Sequence, residues 1–592
     1  MPRSSPGSPD RIKSSPRASP GNRAHPAAGR GERNPSFIFP FLLVAALGAC
    51  RPGGVAAAAA TALPARPVAP APIHRLSPAA PSAPRHAAPL PPPPRSPRAK
   101  RFPRASGLPA AHPNALAVVR HRLTIHGKVL AYTSTTGYMP IRNAQGKCVA
   151  HIFFIAYTKH RSGAGRPRRP LTFCFNGGPG AAANWLNLGC AGPVRVRLTR
   201  RGNAPPPPYQ LASNAQTWLA HSDLVFVDPV GTGYSRAAPG VPGKTFYGVR
   251  ADVKSIAAFI RLYVTLYQRW ASPLFLAGES YGTTRACALA DYLSAHDGIA
   301  LNGIILISCA LNFQVLSPSL GNDTPYPLFL PSYTAAAWYH HKLSPALEKH
   351  FHRTLNQVEH WALADYLPAL AQGAALSRAR RNQIAATLAR YSGLSRRFIL
   401  LSNLRVGPGA FAQALLRRQR RVIGRMDTRL TGYNPHPTAG EAPYDPALSR
   451  FLAPFTSAFN EYVRKDLHYY NNRPYKTLSN MVYPWNFGPP GEGFLYVTDN
   501  LRQAMIRDPY LKVLVCSGYF DLATPFFGTI YTINHLGLNR RLQANIQEVF
   551  FRGGHMLYHP AAMRRKLAGV VAAFIRRAGA SAPRPPAALR RR

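Results

Sequence analysis

The chain has 592 residues, with 73 Lys plus Arg against 22 Asp plus Glu and a formal net charge of +51. A content of 46% hydrophobic and 10% aromatic residues excludes a wholly disordered polyelectrolyte and suits a chain that buries a sizeable core. The charge predicts adhesion to anionic surfaces such as a membrane or cell envelope, but no zinc finger, RNP motif or basic-region heptad accompanies it, so no specific nucleic-acid recognition follows.

In chain order, residues 1–50 read as a basic leader and signal peptide. A Pro-, Ser-, Gly- and Arg-rich start precedes the apolar stretch Phe37–Cys50, which is shorter than a membrane span. Leu47-Gly48-Ala49-Cys50 resembles a bacterial lipobox, in which Cys50 would be lipidated after cleavage; the alternative is an ordinary signal peptide cut near the following alanines. Either way the protein is expected to be exported, to the periplasm or cell envelope or outside the cell. Residues 51–114, rich in Pro, Ala and Arg, cannot form a core and predict an extended, disordered linker.

Globular character starts near residue 115. Strand-like apolar runs occupy His121–Thr133, Val149–Thr158, Leu171–Asn176, Leu224–Asp228, Leu274–Gly278 and Gly303–Ser308. Several are unbroken apolar runs followed by helical patterns, which predicts an α/β fold with a mostly parallel central sheet covered by helices on both faces. Residues 115–310 form the first part of this body. From 311 to 500 helical segments such as Pro345–Leu370 and Ser377–Tyr391 dominate, reading as a helical lid inserted into the body. The second part, 501–578, supplies strands Leu511–Ser517 and Ile546–Phe551, and 579–592 is a basic disordered tail. Of the seven cysteines none forms a C-x-x-C pair, and no disulfide framework is inferred.

The chemistry centres on Gly278-Glu279-Ser280-Tyr281-Gly282, which follows an apolar strand and precedes a helix at Thr283–Leu293. A G-x-S-x-G at a strand-to-helix turn is a nucleophile elbow, in which the glycines relieve crowding and the serine hydroxyl projects from the sheet edge. A serine is a poor nucleophile without a base oriented by a carboxylate. Downstream, Asp521 follows strand Leu511–Ser517, and His555 follows strand Ile546–Phe551 within Gly553-Gly554-His555. Read singly, Asp521 could be a helix cap and His555 a surface-loop histidine; their order Ser, Asp, His, each just beyond a strand, favours a triad. An oxyanion needs N–H donors. The backbone of Tyr281 offers one, and the loop Asn176-Gly177-Gly178-Pro179-Gly180 after another strand fits the part of the second. His340-His341 and the pair His350 and His352 lack the spacing and partners of a metal site, and no phosphate- or dinucleotide-binding loop occurs; no cofactor is inferred.

The stretches FNGGPG (175–180), VFVDPVGTGYS (225–235), LAGESYG (276–282), LVCSGYFDLATP (514–525) and GGHMLYHP (553–560) together resemble the serine carboxypeptidases, peptidase family S10 of the α/β-hydrolase superfamily, and particularly their bacterial branch. The resemblance implies Ser280 as nucleophile, His555 as general base and acid, Asp521 as its orienting carboxylate, and the N–H groups of Gly178 and Tyr281 as the oxyanion hole. It assigns Asn176, Gly177 and a protonated Glu279 to the terminal carboxylate of a peptide substrate. The chain departs from the family pattern at Ala181-Ala182-Ala183 and at Cys190, which stands where members often carry a second glutamate. The expected activity is hydrolysis of C-terminal peptide bonds through an acyl-enzyme on Ser280. An esterase or acyltransferase with the same triad, and a non-catalytic cationic envelope-binding protein, are the alternatives.

Overall fold

In the computed structural model the chain divides into two units, Met1–Ala62 and Leu63–Arg592. The described residues are 116–125, 127–160, 168–488 and 493–580, all in the second unit. The leader, Cys50, the linker and the tail beyond residue 580 lie outside them. No described helix is long and apolar enough to cross a membrane.

The frame is a ten-stranded mixed sheet. Its long strands are β1 (Ala117–Ile125), β2 (Lys128–Arg142), β3 (Cys148–Lys159), β4 (Leu171–Phe175), β5 (Asp223–Val227), β6 (Leu274–Ser280), β7 (Gly303–Cys309), β8 (Lys512–Gly518) and β9 (Ile546–Phe551). They lie in the order β1-β2-β3-β5-β4-β6-β7-β8-β9, with the two-residue strand Arg236–Ala237 added beside β3. The pairs β1/β2, β2/β3 and β3/β5 are antiparallel. From β5 to β9 every pair is parallel. The expected α/β sheet is therefore present, mostly parallel and flanked by helices. One segment differs from its reading: His121–Thr133 is not a single strand. The chain reverses between Ile125 and Lys128 with Gly127 at φ +75°, a turn that Gly adopts at little cost and that apolar alternation alone does not reveal.

Alternation along each central strand feeds two cores. Phe275 and Ala277 of β6, with Leu514 and Cys516 of β8, face a core closed by Leu567, Val571 and Phe574 of the C-terminal helix Ala561–Ala580. Leu276, Val513 and Val515 face the other way, onto helix α1 (Val249–Leu266) and helix α2 (Tyr281–His296). Such two-sided cover is what unbroken apolar strands require.

Between β7 and β8 lies a helical block that includes Pro325–Tyr339, Phe351–Trp361 and Arg378–Ser392. The continuous helix suggested by Pro345–Leu370 is instead four pieces, two α-helices, a π-helical turn at Ala362–Tyr366 and a last helix Leu367–Ala371 with Pro368 in its first turn. Helical backbone runs on from Tyr366 into Leu367, so Pro368 withholds an N–H from a continuing ladder, and the π-helical turn lies directly before it. The core of this block contains Leu328, Tyr333, Phe351, Leu388 and Phe411, and it extends onto Phe520, Leu522 and Phe526 just after β8. A later helix of the insertion, α3 (Pro446–Lys465), turns Phe451, Phe455 and Phe459 into the core of the sheet itself, where Phe455 stacks on Trp185 at 4.8 Å.

Candidate active site

All candidate groups sit at the carboxyl edge of the parallel strands, where loops rather than ladders set side-chain direction. Ser280 ends β6 and is the N-cap of α2, with φ 59° and ψ −129°. A non-glycine residue held there stores about 1–3 kcal/mol of strain, a cost that persists only where the surroundings enforce it. The neighbours enforce it by contact. A Cβ on Gly278 would lie 2.1 Å from the Gly282 carbonyl oxygen, and one on Gly282 would lie 2.7 Å from that of Phe175. Thr283 Oγ1 donates to the Ser280 carbonyl at 2.6 Å and accepts from Ala310 N–H at 2.9 Å, tying the elbow to the end of β7.

Asp521 lies three residues beyond β8 and His555 four beyond β9, both buried. Their side chains meet, His555 Nδ1 to Asp521 Oδ2 at 2.8 Å. The other carboxylate oxygen accepts from the backbone N–H groups of Ala523 and Thr524 at 2.7 and 3.0 Å, and Thr524 Oγ1 donates to Oδ2 at 2.6 Å. Asp521 thus organises its own loop, as a capping aspartate does, and also holds the imidazole. The backbone of His555 is fixed from two sides: its N–H donates to the Met426 carbonyl at 2.6 Å, and its carbonyl accepts from Ser308 Oγ at 2.7 Å. Ser308 belongs to β7, whose Cys309 pairs with Ser280, so the histidine loop and the elbow share one strand as a neighbour. Burial works against a charged imidazole, yet the Asp521 carboxylate, by charge and hydrogen bond, and Glu279 outweigh it, and the pKa of His555 is raised.

The glycine loop after β4 packs directly on the elbow. A Cβ on Gly177 would fall 2.3 Å from Tyr281 N and 2.9 Å from Gly282 N, so only glycine allows this approach. Gly178 takes φ +99°. Tyr281 N–H is one of the donors that the first turn of α2 leaves without an intrahelical partner. Asn176 is locked by both its ends: its side-chain Oδ1 accepts from Leu186 N–H at 2.9 Å and its carbonyl accepts from Arg285 at 2.8 Å. Arg285, almost wholly buried, is paired with Asp252 of α1 at 2.8 Å. Nothing in the sequence marks this pair, because Arg and Asp 33 positions apart carry no recognisable spacing.

Glu279 is buried beside the elbow. Tyr558 O–H donates to its Oε2 at 2.6 Å, and the Asn176 amide is a second partner. Burial pushes the Glu279 carboxyl up to about 7, with Asp521 adding to the rise and His555 and the two hydrogen bonds opposing it. Cys190 is buried near Glu279 in a π-helical turn, Asn187–Ala191, and burial and Glu279 together push its thiol well up. Of the three alanines after the glycine loop, Ala182 and Ala183 donate backbone N–H groups to the Thr477 carbonyl and to Asp228 Oδ1 at 3.1 and 2.8 Å. Among the described residues no group of three His, Cys, Asp or Glu could hold a metal ion. His340 Nε2 instead contacts the Thr428 carbonyl at 2.7 Å, and His341 contacts Glu348.

Two further contributors carry little or no mark in the sequence. Tyr558 follows His555 by only three positions, within a stretch already singled out, and its place was the one available signal. The strap Arg425–Arg429 of the insertion gave none. Its Arg425 carbonyl accepts from Leu522 N–H at 2.9 Å, its Met426 carbonyl holds His555, and Arg429 reaches the Arg552 carbonyl at 2.8 Å, so one strap fixes both loops.

The description of the serine carboxypeptidase family matches residues 125–585, nearly all of the described fold. The chain belongs to that family. This carboxypeptidase is accordingly an enzyme, a serine hydrolase of the α/β-hydrolase fold. No curated protein matches it in sequence. Among solved structures it is similar to the prohormone-processing carboxypeptidase KEX1 of Saccharomyces cerevisiae, with 18% identity over 75% of this chain and 91% of that one and a TM-score of 0.48. It is also similar to a proline iminopeptidase of Mycobacterium smegmatis, with 14% identity, 76% and 100% coverage and a TM-score of 0.33. A carboxyl esterase of Bacillus coagulans shares 12% identity over 75% of this chain and 99% of that one, with a TM-score of 0.31.

Proposed function

We propose that this carboxypeptidase removes C-terminal residues from peptides by acyl transfer through Ser280. The observation that carries the reading is the strained serine at the end of β6, placed at the same sheet edge as a buried histidine whose Nδ1 is held by Asp521 at 2.8 Å. With Nδ1 engaged, Nε2 is the nitrogen left to take the hydroxyl proton. Ser280 Oγ attacks the last peptide carbonyl, and the N–H groups of Gly178 and Tyr281 take the developing oxyanion. His555 then protonates the leaving amine, and water, deprotonated by the same imidazole, releases the acyl group.

Glu279, with Asn176 and Gly177, supports the choice of a C-terminal bond. A neutral carboxyl can donate to the terminal carboxylate of the substrate, whereas an ionised one repels it. Because burial brings Glu279 to about 7, recognition holds below that pH and fades above it. The peptide reading is tested with two peptides that differ only in a free or an amidated C-terminus. Release of the last residue from the free acid alone supports it; equal rates would leave an esterase or acyltransferase. A fluorophosphonate probe tests the nucleophile, and absence of labelling at Ser280 would favour a non-catalytic, surface-binding role. Export to the periplasm or envelope, with or without lipid on Cys50, belongs to the same proposal and rests on residues 1–50 and the net charge of +51; the mass of the mature N-terminus decides it.

A further inference from the structure

Glu279 has one feature that carboxylate recognition does not by itself require. Its Oε2 is covered by a phenol held from behind. Tyr558 is fully buried, and its ring fills the space over Gly189, where a Cβ would sit 2.5 Å from Cε2. Gly189 belongs to the buried π-helical turn Asn187–Ala191, so the ring has backbone on one side and Glu279 at its tip. Burial, with Glu279 adding, holds the Tyr558 hydroxyl well above its ordinary range, so it stays a proton donor.

We infer that Tyr558 is a positioning residue for Glu279: by donating to Oε2 it confines the carboxyl proton to Oε1, so that Oε1–H alone is presented to the substrate's terminal carboxylate. A neutral carboxyl has one hydroxyl and one acceptor oxygen, and a donor fixed on Oε2 makes Oε2 the acceptor. The remaining groups facing Glu279 are differently placed. The Asn176 amide is the other donor to Glu279, but it belongs to the substrate-facing glycine loop and is pinned through Leu186 and Arg285, whereas Tyr558 alone closes Oε2 from the buried side; Cys190 stays a protonated thiol, and His555 and Asp521 are engaged with each other. The inference rests on the function proposed above.

The test measures kcat and KM against pH for the free and amidated peptide pair, on the parent enzyme, Tyr558→Phe and Gly189→Ala. Tyr558→Phe removes a donor that favours the ionised form of Glu279, so the alkaline limb for the free acid moves to higher pH. Below pH 7 the preference for the free acid falls about three- to tenfold, in KM more than in kcat, because the proton is shared between both oxygens. Gly189→Ala keeps the phenol but displaces it, and should move the same two readouts in the same direction; it carries the test alone if thermal melting shows that Tyr558→Phe does not fold. An alkaline limb and a free-acid preference both unchanged in a folded variant would overturn the inference while leaving the proposed function intact. A parent enzyme that treats the two peptides alike removes both.

Discussion

The sheet body and the helical insertion contribute to the site in different ways. The body carries the proposed reactive groups: Ser280, Asp521 and His555 each stand at or just past the end of a parallel strand. The insertion brings none of these groups, yet it clamps the loops that carry them. Its strap Arg425–Arg429 binds the Asp521 and His555 loops through main-chain carbonyls. The segment around residues 477–485 does the same for the glycine loop and elbow, with Ser479 N–H on the Gly180 carbonyl at 2.8 Å and Trp485 Nε1 on Tyr281 Oη at 3.2 Å. Side-chain chemistry is thus housed in one region and its rigidity in another. Losing the first should abolish turnover in a stable protein, and losing the second should loosen a site that keeps every reactive group.

The largest effect expected is on the body side. Ser280→Ala should lower kcat by about 10⁴- to 10⁶-fold, the scale seen when a triad nucleophile is removed, with the melting temperature held; steady-state kinetics beside calorimetry would show it. Next comes Arg285→Leu. It strands the buried Asp252 carboxylate and the Asn176 carbonyl, and breaking such a pair costs about 3–5 kcal/mol in chemical denaturation. Asp252 is already raised by burial and lowered by Arg285, so without the arginine its pKa rises further. The charged form is what costs most, so the deficit should shrink as pH falls and grow as pH rises through that pKa.

On the insertion side the sharpest probe is Asp445→Ala. Asp445 accepts from Met426 N–H at 3.0 Å and caps α3 by accepting from Ala447 N–H at 2.8 Å, so it links the strap to a helix rooted in the core of the sheet. Its loss should cost about 1–3 kcal/mol of stability. If the strap positions the histidine loop, kcat should also fall about tenfold with KM little changed, since a slightly misplaced base loses near-attack geometry before it loses binding. A stability loss with kcat intact would mean that the loops hold themselves.

The same division explains what could be read from the sequence. Strands of the body announce themselves as apolar runs, and Ser280, Asp521 and His555 are legible as candidates because each stands at or shortly after the end of such a run. The reversal at Gly127 shows in the sequence only as a change of phase, from Leu123 inward in β1 to Leu130 and Tyr132 inward in β2, and the exposed Val129, apolar but in the old phase, hides it. The clamps are illegible for a deeper reason: Arg425, Met426 and Thr477 act through backbone carbonyls, which every residue possesses, so no residue type marks them. The pair Asp252–Arg285 and the phenol of Tyr558 depend on packing between distant segments, which spacing cannot encode. Glu279 was legible as a candidate, but its near-neutral carboxyl follows from burial, a property of the finished fold.

The smallest expected effect separates the two ionisations at the body's edge. Activity on the free-acid peptide should rise with pH as His555 loses its proton, along a limb placed above the ordinary imidazole range by Asp521 despite burial. It should fall again as Glu279 ionises near 7 and ceases to donate to the substrate carboxylate. With the acid limb raised and the alkaline limb near neutral, the two cross closely, giving a narrow bell for kcat/KM. Glu279→Gln supplies a side chain that donates at every pH, so the alkaline limb should vanish, while the acid limb remains but moves to lower pH because Glu279 no longer helps hold the His555 proton. Above pH 8 the variant should therefore outperform the parent by about tenfold, the ratio expected one pH unit beyond a controlling ionisation. Were the alkaline limb to persist in Glu279→Gln, it would have to come from another group, and the placement of Glu279 opposite a substrate carboxylate would be wrong even with the triad intact.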